Sequence, residues 1–267
     1  MGKSNSYKGV RARKRFGQHF LTDSSVLQQM VTAIGPKAHD RLVEIGPGRG
    51  ALTVYLLDCL LHMDAVELDR DLIPLLEAMG NPGQLTVHQA DVLQFNFASL
   101  IRDSSQQLRV VGNLPYNIST PLMFHIFESL SLIDDMHFLL QKEVAERMSA
   151  EVGSSQYGRL SVMTQYFCDV ECLFDVGPEA FHPPPKVDST FVRLYPHRQL
   201  SLDKSSYDLF SQLVSQVFTM RRKTLRKSLQ SMVNSDVLDR VTIDLTLRPQ
   251  ELSVKEFILL SQEIQLE

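Results

Sequence analysis

The chain has 267 residues, 43% of them hydrophobic, and a net charge of −4 at pH 7. That length suits one large domain, or a main domain with a small appendage, and the composition excludes collagen, coiled coil and extended disorder. No stretch reaches the roughly 18 unbroken apolar residues of a membrane span, and the start lacks the apolar centre of a secretory signal, so a cytoplasmic protein without a membrane partner is expected.

The charge is unevenly spread. Five of the eight residues from Lys8 to Arg15 are basic, as are five of the seven from Arg221 to Lys227, and neither run holds an acid. Two basic patches therefore stand on an otherwise acidic chain, which keeps a nucleic-acid partner open. Cys59, Cys168 and Cys172 are odd in number and form no CxxC pair. Reduced, mostly buried thiols are expected, and no metal site.

In chain order, Asp23 or Ser24 caps a first helix with Val26, Leu27, Met30, Val31 and Ile34 on its apolar side, and Gly35-Pro36 stops it. A short apolar run leads to Glu44, and a glycine loop opens a helix over Ala51 to Leu61. Strand-like runs then end near Glu44, Glu67, Asp91 and Asn113, at intervals of 22 to 24 residues. That interval is the length of a strand, a helix and two turns. It predicts βαβ units and a Rossmann-like parallel sheet with helices on both faces. Ligands bind outside the carboxyl ends of such strands, so the four polar residues should face one crevice.

Further strands are predicted over Met136 to Gln141, Val170 to Phe174 and Val187 to Tyr195, with a helix near Tyr157 to Phe167. The last two strands suggest an antiparallel edge hairpin. Beyond Pro196, the segments Asp203 to Phe218, Thr219 to Val233 and Pro249 to Gln262 read as amphipathic helices. The expected organisation is an α/β domain over residues 1–198 and a small all-α domain over 199–267.

The loop Glu44-Ile45-Gly46-Pro47-Gly48-Arg49-Gly50 lets backbone amides approach a ligand. A dinucleotide fingerprint would carry its third glycine one position later, so a nicotinamide dehydrogenase is disfavoured. A pyrophosphate would also make Glu44 costly. S-adenosylmethionine has no phosphate, and for it that cost disappears. Glu67 can accept from ribose hydroxyls and Asp91 from the amine of a bound adenine. Each acid singly is more often a helix cap or a solvated turn than a ligand contact; all three at the interval of the fold point to a cofactor.

Four segments taken together resemble the ribosomal RNA adenine N6-dimethyltransferases, and within them the bacterial small-subunit group. They are Arg15-Phe16-Gly17-Gln18-His19-Phe20-Leu21, the loop at 44–50, Asn113-Leu114-Pro115-Tyr116 with Asn117-Ile118-Ser119-Thr120, and Phe181-His182-Pro183-Pro184-Pro185-Lys186-Val187-Asp188-Ser189. The resemblance covers essentially the whole chain. It implies N6-dimethylation of two adjacent adenosines in a loop near the 3′ end of small-subunit (16S) RNA, a role in small-subunit biogenesis, and S-adenosylmethionine as donor. It implies cofactor contacts from His19, Leu21, Gly46, Glu67, Asp91 and Asn113, and a Phe181 ring over the target base opposite Tyr116. His19 stands where many members have Asn. Both types donate and accept hydrogen bonds, though a protonated His would make cofactor affinity pH-sensitive.

The exocyclic nitrogen of adenine is a poor nucleophile because its lone pair is spread into the ring. Asn113 and the Leu114 carbonyl can accept its hydrogens and localise that pair, Pro115 stiffens the loop, and Tyr116 offers a stacking face. The target base must leave any stack first, which single-stranded RNA loops allow. Arg221, Arg222, Lys223, Arg226 and Lys227 are expected on one helix, paired at i,i+4 and without a compensating acid, as a phosphate-binding face; Lys186 is a further candidate. The expected partner is the small ribosomal subunit with its RNA, bound by a monomer.

Three rivals stay open. A large-subunit RNA methyltransferase conferring antibiotic resistance shares the Asn-x-Pro-Tyr motif. A DNA adenine methyltransferase usually begins that motif with Asp. A ribosome-assembly factor could keep the fold without activity. A zinc deaminase is excluded by the absence of HxE with PCxxC.

Overall fold

A computed structural model describes residues 18–101, 103 and 106–265. The basic run from Lys8 to Arg15 and the start of the 15–21 motif lie outside the described residues. The strands are β1 (Phe20–Leu21), β2 (Arg41–Ile45), β3 (Met63–Glu67), β4 (Leu85–Gln89), β5 (Leu108–Asn113), β6 (Ile133–Gln141), β7 (Cys168–Val176), β8 (Phe181–His182) and β9 (Ser189–Pro196). The helices are α1 (Ser24–Ile34), α2 (Ala51–Leu57), α3 (Ile73–Glu77), α4 (Ser119–Phe127), α5 (Lys142–Met148), α6 (Arg159–Phe167), α7 (Lys204–Thr219), α8 (Leu225–Leu229), α9 (Ser235–Leu238) and α10 (Val254–Gln265). No described helix is long and apolar enough to cross a membrane.

The chain divides into two compact units, 1–145 with 171–196, and 146–170 with 197–267. The sequence-based division at 198/199 is close to the third crossing between the units, at 196/197. It misses the excursion over 146–170, because α6 is amphipathic and reads equally well as a crossover helix of the α/β domain.

In the first unit a seven-stranded sheet runs in the order β4-β3-β2-β5-β6-β9-β7. The pairs β2–β3, β2–β5, β3–β4 and β5–β6 are parallel, and β6–β9 is antiparallel. The α/β reading is met, and the two late strands are neighbours at one edge of the sheet, with β7 outermost and β9 between it and β6. The strand order reverses at β2 and β5, whose carboxyl ends are neighbours without a crossover between them. Val111 of β5 is paired with Glu44 of β2, so Gly112 and Asn113 run just past the rim. Gly112 is required there, since a Cβ at this position would stand 2.6 Å from the Ile45 carbonyl oxygen.

Side chains of α1 (Leu27, Met30, Ile34) and α2 (Leu52, Leu56, Leu57) meet Leu42, Met63 and Leu76 in one buried cluster. Asp23 caps α1 by accepting from the amides of Ser25 and Val26. A second, two-stranded sheet pairs Leu21 of β1 with Phe181 of β8. The predicted helix over Ala51 to Leu61 stops at Leu57, and the Leu61 amide instead donates to Ala38. Only Cys168 is buried among the cysteines; Cys59 is half-buried and Cys172 exposed.

The second unit is helical. Tyr166 packs against Phe167 and Phe210 with ring centroids 4.9 Å apart in each case, and Phe218 bridges Tyr157 and Phe257. The predicted helix over Thr219 to Val233 does not form as one piece. Residues 220–223 are a turn, closed by the Lys223 amide donating to Met220, and Thr224 opens the short α8. The break has a tertiary cause: the amides of Leu225 and Arg226 donate to the Leu247 and Leu245 carbonyls. The predicted helix over Pro249 to Gln262 likewise divides, into a 3₁₀ turn at Pro249–Glu251 and α10. Ser253 and Glu256 form a reciprocal cap at the start of α10.

At the opposite end of the sheet from the rim, Arg109 of β5 grips Asp135 through Nε (2.9 Å) and Nη2 (2.7 Å) and Asp40 through Nη1 (2.7 Å). It also donates to the Ile34 and Gly35 carbonyls, while Arg193 donates to Ala33. Two guanidinium groups thus satisfy the carboxyl-terminal carbonyls of α1, where positive charge is favoured. Arg109→Ala strands two acids and two helix-end acceptors and should cost about 3 kcal/mol in urea unfolding. Arg109→Lys should recover less than half of that, because an ammonium cannot reproduce the fork; full recovery would show that charge alone suffices.

Candidate active site

Beyond the ends of β2 and β5 lies a cavity of about 680 Å³, counting its open mouth. Its floor is the glycine loop, in which Gly46, Gly48 and Gly50 all take left-handed φ between 57 and 74°. The Gly46 amide donates to Val66 on β3. Glu67, at the end of β3, accepts from the Gly48 amide at 3.0 Å through Oε2 and from the Asp69 amide at 2.8 Å through Oε1. One carboxylate therefore splints the loop to the neighbouring strand. Burial pushes its pKa up, and the Asp69 and Gly48 amides pull it back.

Glu44 is buried at the base of the same cavity and accepts a 2.6 Å hydrogen bond from Thr53 Oγ1 on α2. Burial raises its pKa to about 7; the Thr53 hydroxyl opposes the shift, and the charge of Glu67 adds to it. When both acids are ionised the cavity floor carries two carboxylates, and no lysine is among its described lining residues. The lining cation, Arg49, lies over the Phe20 ring at 4.4 Å.

The wall formed by the loop after β5 is tied to the segment before β1. Asn113 Nδ2 donates to the His19 carbonyl at 3.1 Å, which leaves Oδ1 as the amide's acceptor. The His19 ring stacks on Tyr116 at 5.6 Å between centroids and 26° between planes, and its Nδ1 donates to the Pro183 carbonyl at 2.7 Å. Leu114 is buried, its amide held by Leu139 on β6. The Tyr116 hydroxyl shares a 2.8 Å hydrogen bond with Ser189 Oγ.

Of the residues singled out from sequence, His19, Leu21, Gly46, Glu67, Asn113, Leu114, Pro115 and Tyr116 line this one cavity. Asp91 does not line it. It caps the 3₁₀ turn after β4, its Oδ1 accepting from the Leu93 amide at 3.0 Å. Phe181 also lies elsewhere, buried in the hydrophobic cluster through its pairing with Leu21. Lys186 is exposed on the loop before β9.

The 221–227 segment is corrected in two respects. It is a turn followed by a short helix, so Arg222–Arg226 and Lys223–Lys227 are not successive turns of one helix face. It also has a compensating acid, since Arg226 pairs with Asp239 at 2.7 Å. Arg221 donates to the Ser154 and Ser155 carbonyls, leaving Arg222, Lys223 and Lys227 as its other exposed cations. Sequence reasoning passed over Thr53, Arg49 and Ser189 as individual residues. Arg49 had a signal, a cation among loop glycines; Thr53 had none, because only the folded helix brings it to Glu44.

Residues 9–266 match the family described as ribosomal RNA adenine dimethylase. A ribosomal RNA small subunit methyltransferase A from Marinomonas sp. is 50% identical, the match covering 99% of this chain and 98% of that protein. One of the same description from Coxiella burnetii is 52% identical, covering 95% and 98%. Among solved structures, a dimethyladenosine transferase from Plasmodium falciparum superposes with a TM-score of 0.77 at 27% identity, covering 93% of this chain and 98% of that one. The 23S rRNA methyltransferase ErmE shares the fold, with a TM-score of 0.69 at 23% identity over 92% and 99% of the two chains.

Glu44 gives a pH signature to the ligand-free protein. Its folded pKa of about 7 lies above the ordinary 4.5. The folded state therefore holds the proton more tightly, and the resulting stability is complete below pH 4.5 and lost as pH rises through 7. Glu44→Gln keeps an acceptor for Thr53 and removes that loss. Relative to wild type, the variant should gain on the order of 2 kcal/mol in unfolding free energy between pH 5 and pH 8. Parallel pH profiles for the two proteins would contradict the buried-carboxylate account.

Proposed function

The chain belongs to the ribosomal RNA adenine dimethylase family, and from that premise we propose that it dimethylates the N6 of two adjacent adenosines in a loop near the 3′ end of small-subunit ribosomal RNA. As an enzyme it is an rRNA adenine dimethyltransferase that uses S-adenosylmethionine. We further propose a cytoplasmic monomer that acts on the small subunit and contributes to its biogenesis.

The donor set fits the cofactor. The space over Gly46 is open, with no atom within 4 Å of where a Cβ would lie, so loop backbone can approach a ligand there. Glu67 Oε2 accepts from the Gly48 amide of the loop and Oε1 from the Asp69 amide, and the carboxylate has lone pairs beyond these to offer a ribose hydroxyl. Ionised Glu44 and Glu67 favour a cation and penalise a phosphate in the same place. His19, Leu21 and Asn113 are the proposed contacts on the facing wall, and Asp91 one from the loop after β4. S-adenosylmethionine, when bound, supplies an activated methyl on a positive sulfur.

The observation that carries the base-binding reading is the fixed Asn113 amide. With Nδ2 committed to the His19 carbonyl, Oδ1 is aimed as an acceptor, and the Leu114 carbonyl supplies a second one for the two hydrogens of adenine N6. Drawing on both hydrogens localises the nitrogen lone pair. Tyr116 stacks on the base and Pro115 keeps the two acceptors in place. In the family pattern Phe181 covers the base's other face; because it is buried in β8 here, that contact requires β8 to move away from β1 on RNA binding. The basic residues at 221–227, with Lys186, are the proposed phosphate contacts.

Labelled methyl transfer to small subunits, large subunits and DNA tests this reading. Wild type should label small subunits alone, and Asn113→Ala should fall by roughly 10²-fold, as when one aimed polar group is removed from a reacting centre. Labelling of large subunits alone would overturn the substrate assignment. Tight subunit binding with no labelling would favour an assembly factor. Alanine at Arg222, Lys223 and Lys227 together should weaken subunit binding and reduce the slope of log K against log salt by about 2; an unchanged slope removes this segment from the RNA interface.

A further inference from the structure

Ser189 is fully buried at the start of β9, where it pairs with Gln141 of β6. A buried hydroxyl needs a partner, and this one meets the Tyr116 hydroxyl at 2.8 Å. Its neighbours on both sides are pinned. The Asp188 carbonyl accepts from the Lys142 amide at 3.0 Å. Thr190 Oγ1 donates to Asp175 Oδ1 at 2.6 Å, and Lys142 Nζ reaches the other oxygen of the same carboxylate. Ser189 is thus a fixed point on the sheet.

Tyr116 is held at both ends. Its backbone follows Leu114 and Pro115, anchored to β6 through the Leu114 amide, and its hydroxyl is tied to β9. The His19 ring covers part of it from the side. A ring anchored at Cα and at the phenol oxygen has no free χ1, and the stacked His19 ring limits its turning about χ2, so its stacking face is in place before any base arrives.

We propose that Ser189 is a positioning residue for base methylation, acting through the Tyr116 hydroxyl to hold the aromatic wall of the base pocket in place. The inference rests on the reading of Tyr116 as the base-stacking residue. Preorganising the ring spares the ordering of a rotamer when RNA binds, and it keeps the adenine amine at the distance that Asn113 and Leu114 require. The phenol oxygen has no chemical step to perform. It is the far end of a lever.

The test uses the full chain and small ribosomal subunits. Ser189→Ala should lower kcat/KM for subunit methylation about 3- to 10-fold, the range for one neutral hydrogen bond, with cofactor affinity unchanged. Tyr116→Phe should give the same loss, and the double variant no further loss. Ser189→Cys, with a weaker hydrogen-bonding group of similar size, should fall between Ser and Ala, and it serves as the probe if the alanine variant does not fold. NMR couplings across Cα–Cβ of Tyr116 in the protein alone should report one χ1 rotamer in wild type and rotamer averaging in Ser189→Ala. Losses that multiply in the double variant, or a χ1 that stays fixed in Ser189→Ala, would overturn the proposal. If wild type labels no RNA while χ1 responds as expected, the anchor stands and the base-stacking reading fails.

Discussion

Strands β2 and β5 lie side by side but leave the sheet toward helices in opposite directions of the strand order, and no crossover passes over the gap between their ends. Everything at the site follows from that reversal. It sets the glycine loop after β2 beside the Asn113 loop after β5 and leaves one rim open to ligands. The close approach of Gly112 to the Ile45 carbonyl shows how tightly the two ends are drawn together. A side chain there would push the Asn113 loop away from the glycine loop.

The pocket has two kinds of polar wall. On the floor, Glu44 and Glu67 are buried and hydrogen-bonded to parts of their own scaffold, so their charge is fixed in place where a positive ligand would meet it. On the facing wall, polar groups are orienting devices: the His19 carbonyl turns the Asn113 amide, and Ser189 holds Tyr116. The first wall selects by charge and the second by geometry. That division suits methyl transfer to an amine, where the donor brings its own activation and the protein must supply alignment.

The helical unit carries its positive charge differently from a simple amphipathic basic helix. Tertiary hydrogen bonds from Leu225 and Arg226 to the 245–247 segment start α8 late and put Arg222 and Lys223 in the preceding turn. Asp239 neutralises part of the cluster. What stays exposed is Arg222 and Lys223 on a short turn and Lys227 on α8.

The strand–helix interval, the caps of α1 and the glycine loop were legible in the sequence because each depends on neighbours close along the chain. So was the gathering of Glu44, Glu67 and Asn113 at one rim, since a parallel sheet turns a regular interval into a row. The sequence by itself therefore determined the architecture and the chemical type of the cavity. It did not reveal that Asp91 caps a turn, that Phe181 pairs with Leu21 in the core, that α6 leaves the α/β unit, or that Ser189 meets Tyr116. Those partners are separated by long stretches of chain or compete with equally good local alternatives. Only the tertiary structure decided them, because packing and hydrogen-bond satisfaction across the fold outweigh local preference wherever several local solutions cost about the same.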